Sequence, residues 1–120
     1  MLVNIGLPSG NLWESKNTLT DLPGTVIPEK KDFEELIESC SWLWAEERAG
    51  GLCTGPNGNS LFFPANTVRG TCRYRALGPN GTELWLMIFG SNKQKPEMMS
   101  IDNTNQFWDD SALREYALPF

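Results

Sequence analysis

The tetrapeptide Gly-Pro-Asn-Gly occurs twice, at residues 55–58 and 78–81, each time between two arms of strand length. Pro presets φ for the first turn position, and Asn-Gly supplies the tight reversal after it. Two such turns commit the middle of the chain to antiparallel hairpins, which constrains the fold more than any other feature. The first hairpin joins Leu52-Cys53-Thr54 to residues 60–63, and the second joins residues 72–77 to 82–89. Two turn geometries fit: a type I turn with a glycine bulge, and an Asn-Gly type I′ turn. The arms around the two turns differ, so the shared tetrapeptide is not read as an internal repeat. The arm Leu61-Phe62-Phe63-Pro64 is too apolar to face water on both sides.

A helix stands before these hairpins. Phe33, Leu36, Ile37 and Cys40 recur at i, i+3, i+4 and i+7, which predicts a helix over residues 29–40 with one apolar face. Lys30, Lys31, Glu34, Glu35 and Glu38 cover its other faces, Pro28 precedes it, and Asp32 suits its positive N-terminal end. In Ser41-Trp42-Leu43-Trp44-Ala45-Glu46 the two Trp have period two, so a strand shows both on one face. Short strands are expected also at 2–7, 12–16 and 98–101, and within 113–120. Residues 8–11 and 46–51 read as turns, and 17–28 and 90–97 as loops. The sum is α+β, with one main helix and six to eight short, mainly antiparallel strands.

The 120 residues are the length of one domain, 1–120, and 40% are hydrophobic. Net charge is −5, which argues against nucleic acid as a partner, since phosphate binding wants clustered Lys and Arg. Arg69, Arg73 and Arg75 are the one local basic group, and a solvated strand face is the simplest reading of them. There is no histidine, which removes Ser–His and Cys–His catalysis and almost all zinc sites built from Cys and His. Cys40, Cys53 and Cys72 contain no CxxC pair. Three buried reduced thiols are expected; a Cys53–Cys72 bridge is the alternative, because both fall on neighbouring strands. The opening MLVNIGLPSG has neither a basic n-region nor a long apolar run, so secretory export is not expected. No run approaches the length of a membrane span.

Three segments carry a resemblance. Residues 5–17, IGLPSGNLWESKN, resemble the "DLGLPSG-LWA-N" opening of a group of gut-bacterial and phage-encoded domains. Residues 27–44 are similar to their "LPT…F.EL…C.W.W" segment, and residues 54–65, TGPNGNSLFFPA, to their "G.NGNSIFLPAAG" hairpin. These are domains of the Fibrobacter succinogenes major paralogous type, allied to the C-type-lectin-like and formylglycine-generating-enzyme-like folds. The resemblance covers about the first 65 residues. It implies a C-type-lectin-like fold, with the first and last strands paired and the helix packed on the sheet. It also implies a core containing Trp42, Trp44 and the LFFP arm. Large apolar strand residues pack inward, and the full expected core is Trp13, Phe33, Leu36, Ile37, Trp42, Trp44, Phe62, Phe63 and Trp85. Burying Phe62 or Phe63 is worth about 2–3 kcal/mol each. After residue 65 the chain departs from the family, with Ala65-Asn66-Thr67-Val68-Arg69-Gly70 and no "YWSS" strand. It reads as a compact variant without the long variable insert that carries the ligand-contacting surface in related proteins.

The candidate chemistry is sparse. Glu97, Asp102, Asn103, Asp109 and Asp110 are hard oxygen donors near Lys95-Pro96, a pattern to set beside calcium-dependent lectins of the wider fold. Lys95 stands where a ligand-type residue belongs, and no ordered loop of alternating acids is present, so solvated loop acids are the reading adopted and no metal or cofactor is expected. The carboxylate pairs Glu34-Glu35, Glu46-Glu47 and Asp109-Asp110 are sequence neighbours whose side chains diverge, which does not suit glycosidic cleavage. Enzyme activity is not expected. Two functions remain. One is a structural or assembly protein, such as a phage virion decoration or fibre component, located in the virion if phage-encoded and in the cytoplasm otherwise. The other is a recognition module for a glycan or protein, using loops near 66–70, 90–97 and 102–110. Its candidate contact residues are Arg69, Arg73, Arg75, Lys95, Trp108 and Asp109.

Overall fold

Glu29 starts the one helix among the described residues, and it does so with its own side chain. In the computed structural model, which describes residues 2–15, 25–26, 28–67, 70–78, 84–101, 114–115 and 118–119, helix α1 runs Lys30–Ser39. Glu29 and Asp32 form a reciprocal capping box, in which the Asp32 carboxylate accepts the Glu29 N–H at 2.8 Å. Burial pushes the Asp32 carboxyl above the ordinary aspartate range, and the Glu29 N–H works against that shift. Phe33 and Leu36 are buried and Ile37 is half-buried, so the apolar face is the one the spacing indicates. Cys40 adopts extended geometry and ends the helix.

Among the described residues, eleven strands form four sheets. β1 (Leu2–Val3) pairs antiparallel with β2 (Trp13–Glu14). β3 (Thr25–Val26) pairs antiparallel with β11 (Leu118–Pro119). β4 (Ser41–Ala45), β5 (Gly50–Thr54) and β6 (Ser60–Pro64) form an antiparallel meander. β7 (Thr71–Leu77), β8 (Leu84–Gly90) and β9 (Glu97–Ile101) form another, to which β10 (Arg114–Glu115) adds parallel to β7. The domain is thus α+β and mainly antiparallel. Among the described residues no helix is long and apolar enough to cross a membrane.

Several expectations need correction. The first and last strands do not pair with each other: β1 folds back on β2 across residues 4–12, a far smaller loop to close than the whole chain, and β11 takes β3 instead. The segment 17–28 was expected to be loop throughout, yet it contains β3. The strand expected over 2–7 stops at Val3, because Gly6 has φ +82° and turns the chain out of the extended region. The closing segment contributes to two different sheets rather than one strand.

The 55–58 turn is the type I form with a glycine bulge. Gly58 N–H reaches Gly55 O at 3.0 Å, and Gly58 takes φ +89° while Asn57 stays at negative φ. The turn holds up the N-terminal segment: Asn57 Nδ2 and Asn59 Nδ2 each donate to Asn4 O at 2.9 Å, and Asn57 N–H reaches Ile5 O. The second Gly-Pro-Asn-Gly turn lies outside the described residues apart from Gly78, but its arms pair from Thr71↔Gly90 to Leu77↔Leu84.

Aromatic rings join the layers. α1 packs on β7, β8 and β9, while β5 packs on β7 and β8. Trp42 meets Phe63 and Phe89 at 5.4 Å each, Trp44 meets Phe89 at 5.9 Å, and Phe63 meets Tyr74 at 5.1 Å. Gly51 permits this, since a Cβ there would stand 2.6 Å from Phe89 Cδ2. Trp13 packs against Phe33 with the rings tilted and their centroids 5.3 Å apart. The turn before β2 is tied to the helix by Glu35, whose carboxylate accepts Ser9 N–H at 3.0 Å and Ser9 Oγ–H at 2.6 Å. Glu35→Ala is expected to cost about 1–2 kcal/mol, the net value of two exposed charge-assisted bonds, read as a fall in melting temperature that Glu34→Ala does not reproduce.

Candidate functional site

Strict alternation along β4, β5 and β6 sends Trp42, Trp44, Cys53, Leu61 and Phe63 inward. The opposite face is built by what remains. Its register places Ser41, Thr54 and Ser60 in one row, Leu43, Leu52 and Phe62 in the next, and Ala45, Gly50 and Pro64 in the third. The first row is polar, with Thr54 Oγ1 and Ser60 Oγ 2.9 Å apart. The middle row is wholly apolar. Leu43, at its outer end, is 64% exposed, the largest exposure among the described large hydrophobic side chains.

Phe62 belongs to this outer row and not to the core. It is half-buried, and the Arg48 guanidinium carbon lies 3.9 Å above its ring. Gly50 lets that ring lie flat, because a Cβ there would stand 2.5 Å from Phe62 Cζ. Arg48 comes from the β4–β5 turn, where Ala49 takes φ 52° and its carbonyl accepts the Ala65 N–H at 2.8 Å. Among the described residues β4 has one hydrogen-bonded neighbour, β5, on one of its two edges. Glu38, three residues before β4, and Glu46 and Glu47, directly after it, are all exposed.

The candidate contact residues from sequence fall elsewhere. Arg73 and Arg75 share one face of β7, the face opposite Cys72, Tyr74 and Ala76, but they are half-buried rather than solvated. Across the ladder they meet Ile88 and Leu86. The Arg73 backbone is gripped by the Asn66 amide, which accepts its N–H at 2.8 Å and donates to its carbonyl. Lys95 is exposed in the β8–β9 loop, and Glu97 is held by Lys93 at 3.0 Å. Arg69, Trp108 and Asp109 lie outside the described residues, as do Asp102, Asn103 and Asp110. Trp85 is half-buried, with Lys30 Nζ 4.1 Å above its ring centroid. Lys30 also lines a cavity of about 320 Å³ with Glu29, Lys31 and Glu34. The charges there pair among themselves, Lys30 with Glu34 at 3.7 Å and Lys31 with Glu29 at 3.3 Å.

Leu43 and Leu52 were not among the residues singled out by sequence. The signal was present: the alternation that turns Trp42 and Trp44 inward turns Leu43 outward, and a leucine at a solvent-facing position is the anomaly. No protein-family model, curated protein or solved structure matches the chain.

Proposed function

We propose that this chain is a non-enzymatic assembly protein that docks another protein strand along β4 and over the Leu43–Leu52–Phe62 row. The observation that carries this reading is Leu43, an exposed leucine at the centre of a strand with a free edge among the described residues. Strand addition satisfies the edge backbone groups, and an apolar side chain of the incoming strand extends the row. Charge selects the partner. Glu38, Glu46 and Glu47 surround β4, and Arg48 in the turn is laid over Phe62. A strand with an apolar centre and basic ends complements that pattern. A second copy, with the same acids and the same net charge of −5, complements it less well. The resemblance of residues 5–65 to phage-encoded domains makes a virion or fibre the first place to look.

The test compares tagged wild-type and Leu43→Lys chains expressed in the protein's own source. The wild type is expected in a large assembly and the variant in the free pool. Their stabilities should agree within about 0.5 kcal/mol, since the position is exposed. A variant that assembles like the wild type removes this face from the account. A wild type that stays free removes the assembly reading itself.

A further inference from the structure

The Asn57 side chain is held at both ends. Its Nδ2 donates to Asn4 O at 2.9 Å, and its Oδ1 accepts the Asn59 N–H at 2.9 Å, closing an Asx turn. Gly6 lies against it from the N-terminal segment: a Cβ on Gly6 would stand 2.9 Å from Asn57 Cβ and 3.1 Å from Asn57 Cγ. The next nitrogen along the chain, that of Gly58, donates its proton to Gly55 O at 3.0 Å. Asn57, Gly58 and Asn59 are all exposed to solvent. The docking face on β4 uses none of these contacts.

Asn-Gly is also a reactive pair. Asparagine is thermally labile, and a glycine after it has no Cβ to obstruct attack by its own nitrogen on the side-chain carbonyl carbon. We propose that Asn57 is a site of self-modification: the docked N-terminal segment keeps it an amide, and its conversion to an acid releases that segment. In the step itself Gly58 N gives its proton to hydroxide and bonds to Asn57 Cγ. The Cγ–Nδ2 bond breaks, and Nδ2 takes a proton from water and leaves as ammonia. Water then opens the cyclic imide at one of its two carbonyls, giving aspartate or isoaspartate. One water is consumed, one ammonia is released, and nothing is oxidised or reduced.

The native turn opposes this step at both reacting atoms. The Gly58 N–H is engaged by Gly55 O. Attack makes the planar Cγ tetrahedral, which draws Nδ2 and Oδ1 off Asn4 O and the Asn59 N–H. The product reverses the contact with the N-terminal segment. An aspartate carboxylate has no donor, so an oxygen would face Asn4 O with no proton between them. The Asn59 Nδ2 bond at 2.9 Å is then left to hold that carbonyl against the repulsion. Isoaspartate adds a methylene to the main chain and displaces Gly58 from the turn as well.

The test incubates the full chain at physiological pH and body temperature, native and in guanidinium chloride, and then digests it with trypsin. Cleavage after Arg48 and Arg69 places Asn57 in peptide 49–69, where tandem mass spectrometry locates the amide-to-acid mass gain. The denatured rate at Asn57, read beside Asn80 of the second Gly-Pro-Asn-Gly in peptide 76–93, gives the intrinsic reactivity of the tetrapeptide. In the native chain Asn57 is expected to convert on the order of tenfold to a hundredfold more slowly, because two or three hydrogen bonds must open first. Asn59→Ala, which removes one of the two bonds to Asn4 O, is expected to narrow that gap. Asn57→Asp copies the aspartate product, and in it the Gly6 N–H is expected to lose its protection from hydrogen exchange. Equal native and denatured rates at Asn57 would overturn the proposal. So would an Asn59→Ala chain that converts no faster than the wild type, or full protection of Gly6 in Asn57→Asp.

Discussion

Phe63→Ala is expected to destabilise the fold by about 3–5 kcal/mol, the range for emptying a buried aromatic site. Phe63 is fully buried and sits between Trp42 and Tyr74, with centroids at 5.4 and 5.1 Å. Its backbone carbonyl also receives the Cys72 S–H. It therefore links the β4–β6 meander to β7 from both its ring and its main chain. Against a total stability of roughly 5–15 kcal/mol, that loss leaves the variant near unfolding at body temperature. The melting temperature should fall by roughly 10–20 °C, measurable by circular dichroism. Phe62→Ala, one residue away on the outer face, should cost about 1–2 kcal/mol, because its ring is only half-buried. Equal losses at the two positions would mean that the side assignment along β6 is wrong.

Gly55→Ala is expected to cost about 3 kcal/mol, from overpacking together with lost hydrogen bonds. A methyl group at Gly55 would overlap the carbonyl oxygen of Ile5 and stand 2.7 Å from its Cβ. Ile5 is fully buried, so the segment cannot simply swing aside. Moving it breaks the bonds from Asn57 and Asn59 to Asn4 O. Gly10→Ala is the informative contrast. Nothing lies within 4 Å of a Cβ there, but φ is +79°, so only a backbone penalty of about 1 kcal/mol is expected. Hydrogen exchange should show the Gly6 N–H, which bonds Asn4 Oδ1 at 2.9 Å, losing protection in Gly55→Ala and keeping it in Gly10→Ala. Loss in both variants, or in neither, would contradict this account of the turn.

The parts of the fold that were legible are those with local causes. The spacing of Phe33, Leu36, Ile37 and Cys40 marks α1, and the helix lies between Glu29 and Cys40 as that spacing requires. Pro56-Asn57-Gly58 fixes its own turn, and the arms around it pair in register. What was hidden depends on distant partners. β3 and β11 are two residues each and pair across most of the chain, so no periodic pattern announces them. The side chosen by Phe62 is decided by Phe63, since adjacent strand residues cannot both point inward. Arg73 and Arg75 look like a solvated face in sequence, because nothing local shows that they will be half-buried. The Leu43–Leu52–Phe62 row was half legible: the Trp42 and Trp44 alternation implies its Leu43 end, but Leu52 and Phe62 join Leu43 only through the register of three strands.

The native mass of the endogenous protein in its own source, with co-purifying chains identified by mass spectrometry, tests the assembly reading most directly. The account predicts a complex far heavier than one chain, held by a partner that carries an apolar strand with basic ends. A free monomer of 13.5 kDa would contradict it.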